Sequence, residues 1–126
     1  MLGVGGTGTT SGLQVTLMQV VDPWTSGNAF ETPSVGQRFV AVELTITNTT
    51  DEMQTFSTLL GLEVRDASGQ RWNAGLYGLD LPQLGGDIPP GGLMRGWQVF
   101  EVGDGGGALQ LVVKGSLTAT GTTFQL

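Results

Sequence analysis

The sequence lacks cysteine and histidine altogether. Without cysteine, the chain has neither disulfide bonds nor a thiolate nucleophile, and zinc sites built from cysteine and histidine are excluded. Without histidine, the chain also lacks the general base of the Ser-His-Asp and Cys-His catalytic arrangements. These common hydrolase and zinc-binding classes are therefore excluded before any motif is considered.

Charge is also scarce. Only 13% of the 126 residues are charged, and 11 acidic residues against 5 basic ones give a net charge of −6. The basic residues are scattered along the chain, whereas phosphate-rich partners are bound by clustered ones. We therefore expect neither a nucleic acid nor an anionic membrane surface as a partner. No apolar run approaches the ~20 residues of a membrane-spanning helix, so we expect no membrane insertion by this chain. The opening residues also lack the regions of a secretory signal peptide.

Glycine, in contrast, is abundant, with 22 residues. It disfavours helices, because each glycine in a helix costs about 1 kcal/mol relative to alanine. Residues 1–12 (MLGVGGTGTTSG) contain little that can be buried and predict a flexible linker. A phosphate-binding loop is rejected there, because no Gly-Lys-Ser/Thr follows the glycines. We expect a single folded domain over residues 13–126.

Short segments in which apolar and polar residues alternate fill that domain, separated by turn-forming residues. In the clearest, 38–48, the even-numbered residues are apolar, which is typical of a half-buried antiparallel strand. In segment 13–21, the odd-numbered apolar residues, Val21 among them, are predicted to share the buried side. Leu60 is predicted to share a buried face with Leu62 and Val64. The predicted strands are 13–21, 38–48, 54–57, 60–66, 71–73, 93–102, 109–114 and 117–126.

This pattern predicts an all-β fold. About seven short strands and frequent turns, with no amphipathic helical segment, favour an antiparallel immunoglobulin-like β-sandwich. A small closed barrel is the alternative architecture. The Cys-Trp-Cys core of antibody domains is absent, so the expected relationship to them is one of fold only.

Several of these segments together resemble a known family. Val35-Gly36-Gln37-Arg38-Phe39-Val40-Ala41-Val42 continues to Asn48. A hairpin, Asp66-Ala67-Ser68-Gly69-Gln70-Arg71-Trp72, follows. Pro90-Gly91-Gly92 then leads through Gly96 to Phe100-Glu101-Val102. Over residues 13–114 the chain resembles a bacterial extracytoplasmic domain family of unknown function. That family is related to the mycobacterial immunoprotective secreted antigen, an immunoglobulin-like β-sandwich.

The resemblance implies a secreted or lipid-anchored protein, extracellular or at the cell surface or periplasmic, tethered by a low-complexity linker. It brings no catalytic residues. Two features depart from the family pattern. Gly92 lengthens the Pro-Gly turn, and Gly75–Gly86 matches no family motif.

The acidic residues suggest two kinds of site, both weakly. General acid–base hydrolysis needs two carboxylates at a fixed separation in a cleft. The pairs Asp51 with Glu52, Glu63 with Asp66, and Asp80 with Asp87 are available, but solvated surface acids explain them better. No cofactor is expected, although calcium is a weak alternative. Its hard oxygen ligands would come from loops, without a recognisable motif: Asp22, Asp51, Glu52, Asp66 and Asp104.

Aromatic and apolar residues in loops suggest an interaction surface. Trp24 and Tyr77 lie in loops, where aromatic residues serve as binding anchors or cover the ends of a sandwich. Trp97 is interpreted either as core or as an exposed platform. The leucine-rich Gly75–Gly86 either packs as a lid or marks a contact surface for self-association or for a partner. The candidate surface residues are Trp24, Tyr77, Leu79, Leu81, Leu84 and Trp97.

The sequence thus predicts a non-catalytic immunoglobulin-like module that binds an unidentified protein or cell-surface component; its oligomeric state stays open. One alternative is a spacer domain in a surface assembly. Another is a weak carbohydrate- or calcium-binding protein, or a minor hydrolase, that uses loop acids and Trp24. Asn48-Thr49-Thr50 is formally a glycosylation sequon, but we interpret it as a turn.

Overall fold

The computed structural model describes residues 2–116 and 118–126, so Met1 of the predicted linker and Leu117 of the last predicted strand lie outside the described residues. Within them the chain forms ten strands, one helical turn (α1, Thr58–Gly61) and one 3-10 turn (Asp104–Gly106). The strands are β1 Thr7–Thr10, β2 Leu13–Val21, β3 Gln37–Asn48, β4 Gln54–Phe56, β5 Leu62–Asp66, β6 Arg71–Asn73, β7 Gly86–Ile88, β8 Leu93–Gly103, β9 Leu109–Val113 and β10 Thr122–Gln125.

Two four-stranded antiparallel sheets form a β-sandwich, which confirms the predicted fold class. One sheet has the order β1-β2-β3-β8, the other β10-β9-β5-β6, and β4 pairs with β7 beside them. Without β1, this matches the A-B-E and G-F-C-C′ order of immunoglobulin-type sandwiches. The facing sides bury one apolar core, whose largest members are Phe56, Phe100 and Phe124. No described helix has the length and apolar character needed to cross a membrane.

β3 is buried on both faces along half its length, whereas its alternation predicted a strand buried on one face only. Val40 and Val42 point into the core between the sheets, as expected. On the outer face, Phe39 and Ala41 are also buried, and they belong to a second apolar cluster. Two long loops cover this part of the outer face, and they form the site described below.

A β-bulge corrects the prediction for β2. The pairing of β2 with β3 shifts register between Leu17 and Gln19. Because side chains alternate with period two, one extra residue moves the following side chains to the opposite face. Val20 therefore packs against the core, whereas Val21 is 38% exposed rather than buried.

Residues 7–10 differ from the flexible linker that their composition predicts. β1 pairs antiparallel with β2 from Thr7 opposite Thr16 to Thr10 opposite Leu13. The Thr10 side chain is buried, and its Oγ1 donates to the Thr120 carbonyl (3.1 Å) and accepts from the Gly115 amide (3.0 Å). Pairing with a long neighbouring strand therefore orders a segment that has almost no apolar side chains of its own.

The predicted strand at 60–66 begins later than expected. Residues 58–61 form the single turn α1, whose amide at Leu60 donates to the Ser57 side chain. Leu60 is consequently 63% exposed, while Leu62 and Val64 are buried as predicted. The capping serine directs the chain into a helical turn before β5 starts. β7 was missed, because its three residues (GDI) have no alternation to detect.

Candidate functional site

Two long loops meet on the outer face of the β3–β8 pair. One loop, residues 22–36, connects β2 to β3, and the other, residues 74–85, connects β6 to β7. We call the surface that they form the two-loop surface. Beneath it lies an apolar cluster separate from the main core, with these members: Phe39, Ala41 and Val99, packed against Trp24, Tyr77, Leu81 and Trp97.

Phe39 is the centre of this cluster. Its ring lies 5.9 Å from the ring of Trp24 and 5.0 Å from that of Tyr77, both in tilted arrangements. Such aromatic pairs contribute roughly 0.5–1.5 kcal/mol beyond the area that they bury. The backbone amide of Trp24 also donates to the Phe39 carbonyl at 2.7 Å, so the first loop is fixed where it leaves the sheet. Trp24 and Tyr77 both remain partly exposed at the rim.

The second loop is held against the edge of β8 by its backbone. The Trp97 amide donates to the Pro82 carbonyl at 2.7 Å, and Gln98 Nε2 donates to the Gly75 carbonyl at 3.0 Å. At Gly78 the backbone is left-handed (φ 66°), and a Cβ there would lie 2.6 Å from a Val99 methyl group. Glycine is therefore required where the loop crosses the sheet. The segment thus packs on the sheet as a lid through Tyr77 and Leu81, while its Leu76 and Leu79 remain exposed.

Carboxylates link the two loops. Glu101, on β8, accepts a hydrogen bond from the Ser34 amide (2.6 Å) and one from the Tyr77 hydroxyl (2.8 Å). The Ser34 amide first, and then the Tyr77 hydroxyl, hold the pKa of Glu101 below its ordinary value. The hydrogen bond to Glu101 raises the pKa of Tyr77; burial and the negative charges of Glu101 and Glu31 add to this effect. Glu31 accepts from the Gly78 amide at 3.2 Å, which joins the tip of one loop to the other.

One guanidinium lies at the border of this surface. Arg38 Nε donates to Asp22 at 2.7 Å, and Arg38 Nη1 donates to Asp104 at 3.3 Å. The hydrogen bond that Arg38 donates to Asp22 is the main cause of the raised pKa of Arg38. Its positive charge is thus already shared by two carboxylates.

The tips of both loops expose large apolar side chains. Phe30 is 97% exposed, Leu76 is 78% exposed and Leu79 is 62% exposed, and Val35 is fully exposed. A groove beside them has a volume of about 220 Å³, with Trp24, Glu31 and Phe39 among its lining residues. A second groove shares Asn28 and Glu31 with the first, and its lining residues are Gly27, Asn28, Glu31, Leu79 and Asp80. Exposed apolar groups of this size are typical of contact surfaces.

The structure brings together most of the surface residues predicted from the sequence. Trp24, Tyr77, Leu81 and Trp97 all belong to the outer-face cluster, and Leu79 lies at its exposed rim. Leu84 is an exception, because it is only 7% exposed and belongs to the main core, where no partner reaches it.

Sequence reasoning missed three residues of this surface. Phe30 and Glu31 lie in a polar loop without periodicity, and only the apolar character of Phe30 signals exposure at a loop tip. Glu101 follows the core residue Phe100, so its outward orientation could have been read from alternation. The hydrogen bonds of Glu101 to the two loops could not have been predicted, because they join segments that are distant in sequence.

Some of the carboxylates considered as calcium ligands or acid pairs have partners within their own segments. Within residues 2–116 and 118–126, no group of three or more acidic residues is placed to hold a metal ion. Asp66 accepts from Ser68, Gln70 and Trp72 in its own hairpin. Glu63 pairs with Arg65 at 2.6 Å. Asp66 and Glu63, one of the acid pairs considered from the sequence, thus serve a turn and an ion pair.

The glycosylation sequon is a structural turn, as its composition predicts. Asn48 is fully buried, and its Nδ2 donates to the carbonyls of Glu52 (2.7 Å) and Ile88 (2.8 Å). Its Oδ1 accepts from the Thr50 amide at 2.9 Å. The amide nitrogen that would carry a glycan is thus enclosed in the folded protein.

Comparison with known proteins places the chain in a family. The model of a domain of unknown function, DUF4352, matches residues 2–123. The chain belongs to the DUF4352 family. That match begins at residue 2 and therefore includes β1. No functionally curated protein matches the sequence.

Solved structures share the fold of this DUF4352 domain at low identity. The yjhA protein of Bacillus subtilis is 17% identical, with a TM-score of 0.76 over 100% of this chain and 99% of that one. The B. subtilis protein ycdA, described as a candidate lipoprotein, is 15% identical, with a TM-score of 0.73 over 95% of this chain and 38% of its own. An uncharacterised β-sandwich protein from Clostridium difficile 630 is 13% identical, with a TM-score of 0.59 over 98% of this chain and 91% of its own. At these identities the likeness concerns the fold.

Proposed function

We propose that the protein is a non-catalytic module of the extracytoplasmic space, secreted or tethered at the cell surface, that binds a protein or cell-surface component through the two-loop surface. One observation carries this proposal. The tips of both loops expose Phe30, Leu76 and Leu79 to solvent, directly above a packed aromatic cluster.

The arrangement favours binding because it combines a rigid base with accessible apolar groups. Binding residues are commonly placed on loops that a rigid scaffold positions. Here the base is Phe39, held on β3 between Trp24 and Tyr77. The loops are joined to each other through Glu31 and to β8 through Glu101, which limits the conformational entropy that binding would cost.

The location is supported by two further features. A structural neighbour is described as a candidate lipoprotein. The immunoglobulin-type strand order also agrees with the expected relationship to the mycobacterial secreted antigen. If the location is right, cell fractionation recovers the native protein in the medium, the cell envelope or the periplasm, and recovery in the cytoplasmic fraction contradicts it.

A binding screen tests the function. The wild-type protein, a Phe30→Ser/Leu79→Ser double variant and a Leu59→Ser control are presented to arrays of peptides and glycans and to calcium. Leu59 matches Leu79 in exposure (63% and 62%) but belongs to neither loop; it lies on α1 and lines a groove that contains no residue of 22–36 or 74–85. We expect a ligand that binds wild type and control equally and the double variant at least tenfold more weakly.

Two outcomes oppose the proposal. Equal binding to all three proteins would place the binding site outside the two-loop surface. The absence of any ligand, with all three proteins folded, would favour the alternative of a spacer domain.

A further inference from the structure

We propose that the partner presented to the two-loop surface is a cationic peptide segment that carries apolar side chains. This inference rests on the proposed function and specifies the chemistry of its ligand. It follows from the distribution of charge around the exposed apolar tips.

Negative charge is concentrated at this surface. Three carboxylates belong to the loops and two more border them; in chain order they are Asp22, Glu31, Asp80, Glu101 and Asp104. The basic residue among them is Arg38, which pairs with Asp22 and Asp104. Five carboxylates and one guanidinium leave four of the six net negative charges of the whole chain in this region. Elsewhere, acids are largely matched by bases, as in the Glu43–Arg95 and Glu63–Arg65 pairs.

The carboxylates are interleaved with the apolar tips. Leu79 and Asp80 are adjacent in sequence, and both line the same groove as Glu31. Phe30 directly precedes Glu31 and is almost fully exposed. A peptide that places leucine-like side chains on Leu79 and Phe30 therefore brings its neighbouring side chains within reach of the two carboxylates. Lysine or arginine at those positions gives charge complementarity, which steers association and sets specificity.

Trp24 adds a second reason for a cationic partner. Its indole is partly exposed and lines the same groove as Glu31. A guanidinium or ammonium group over an indole face, with a carboxylate nearby, combines a cation–π contact with an ion pair. A second copy of this chain fits less well, because two such surfaces would oppose each other with like charges.

The test uses three synthetic peptides of equal length, each with two alternating residue types. The first alternates lysine and leucine, the second lysine and serine, and the third glutamate and leucine. Binding is measured by titration calorimetry with the intact chain at low and at physiological salt. We expect the lysine–leucine peptide to bind at least tenfold more tightly than the other two. We also expect the affinity of the lysine–leucine peptide to fall as the salt concentration rises, because salt screens exposed charges.

Matched variants test whether peptide binding depends on the two-loop surface. Glu31→Gln/Asp80→Asn removes two charges from the groove; the glutamine carbonyl keeps an acceptor for the Gly78 amide. Asp51→Asn/Glu52→Gln removes the same charge from the exposed turn beyond the opposite end of β3. We expect at least a tenfold loss of lysine–leucine binding in the first variant and less than a twofold change in the second. Leu79→Ser should weaken binding, and Leu59→Ser should not.

The outcomes separate this inference from the proposed function. Equal losses in both charge variants would mean that net charge alone attracts the peptide, and the inference fails. Leu79-dependent binding of the glutamate–leucine peptide or of a glycan would overturn the inference but leave the binding function standing. Binding of none of these probes would count against both.

Discussion

Tyr77 shows how a single residue joins the loops to the sheet. Its ring packs on Phe39 at 5.0 Å, while its hydroxyl donates to Glu101 at 2.8 Å. An amphipathic side chain of this kind buries its ring and keeps its polar end satisfied at the rim. The exposed tips on either side of it are therefore carried by a fixed point rather than by a free loop.

The titration of Tyr77 tests this contact. Its pKa is raised above 10.0, first by the hydrogen bond to Glu101, because an ionised phenol would face a carboxylate without a proton between them. Since Tyr77 is the only tyrosine in the chain, ultraviolet absorbance near 295 nm follows this group alone. We expect Glu101→Gln to bring the titration back toward 10. An unchanged midpoint in that variant would mean that the contact is absent in solution.

At the residue scale, alternation predicted burial well where strands are regular and failed where they are not. Val40, Val42 and Ile46 are buried, as the alternation of their segment predicts. Val21 is exposed because of a bulge that nothing in its own segment indicates. Leu84 was predicted from composition as a surface residue, but tertiary packing directs it into the main core.

The lid formed by residues 74–85 is the element on which the candidate site depends. It has no regular secondary structure, and it is held by a few backbone contacts with β8. Gly96 permits the closest of these. A Cβ there would lie 2.7–2.8 Å from backbone atoms of Gln83 and Leu84. Backbone atoms cannot move aside as a flexible side chain can, so the lid requires a glycine at this point of the strand.

Gly96→Ala is therefore expected to displace the lid. We expect a loss of roughly 1–3 kcal/mol in the free energy of unfolding, as for overpacking of a closely packed site. Hydrogen exchange should become faster in the amides of Gln83, Leu84 and Trp97. Gly27→Ala is the matched control, because no atom lies within 4 Å of the Cβ that it adds. Equal stability of the two variants would argue that the lid does not rest on β8.

At the element scale, most strands were predictable from their own alternation or from an adjacent turn, and the exceptions were β1, α1 and β7. The predicted bounds of β2 and β6 agree with the structure, and β3 begins one residue earlier than predicted. β1, α1 and β7 depend on a partner strand or a cap rather than on their own pattern. For the candidate site, the residue types were predictable, whereas the convergence of two loops separated by some forty residues on one sheet face was not.

Charge acts across the whole molecule as well as at one surface. Several carboxylates are held ionised by specific partners. Glu43 is buried, and hydrogen bonds from Arg95 first, then from Gln19, help to keep its pKa below 4.5 despite burial. Glu101 is held low by Ser34 and Tyr77. These groups favour the folded state only while they remain deprotonated.

The sign of the resulting pH dependence follows from linkage. Because the folded pKa values of Glu43 and Glu101 are lowered, the unfolded chain takes up protons first as the pH falls. Their contribution to stability is therefore complete above about pH 5 and is lost as the pH drops through the folded values. The relief of general charge repulsion near the isoelectric point of about 4.2 acts in the opposite direction. It is the smaller effect at physiological salt, because exposed charges are screened.

We thus expect the urea midpoint to be level between pH 7 and about pH 5 and to fall steadily below that. Glu43→Gln should be less stable than wild type at pH 7, because Arg95 then loses its charged partner, and the two proteins should converge as the pH falls. Chemical denaturation followed by tryptophan fluorescence at pH 7, 5 and 3 measures both effects. A stability maximum near pH 4.2 would show instead that overall charge repulsion, rather than these local contacts, governs the fold's response to acid.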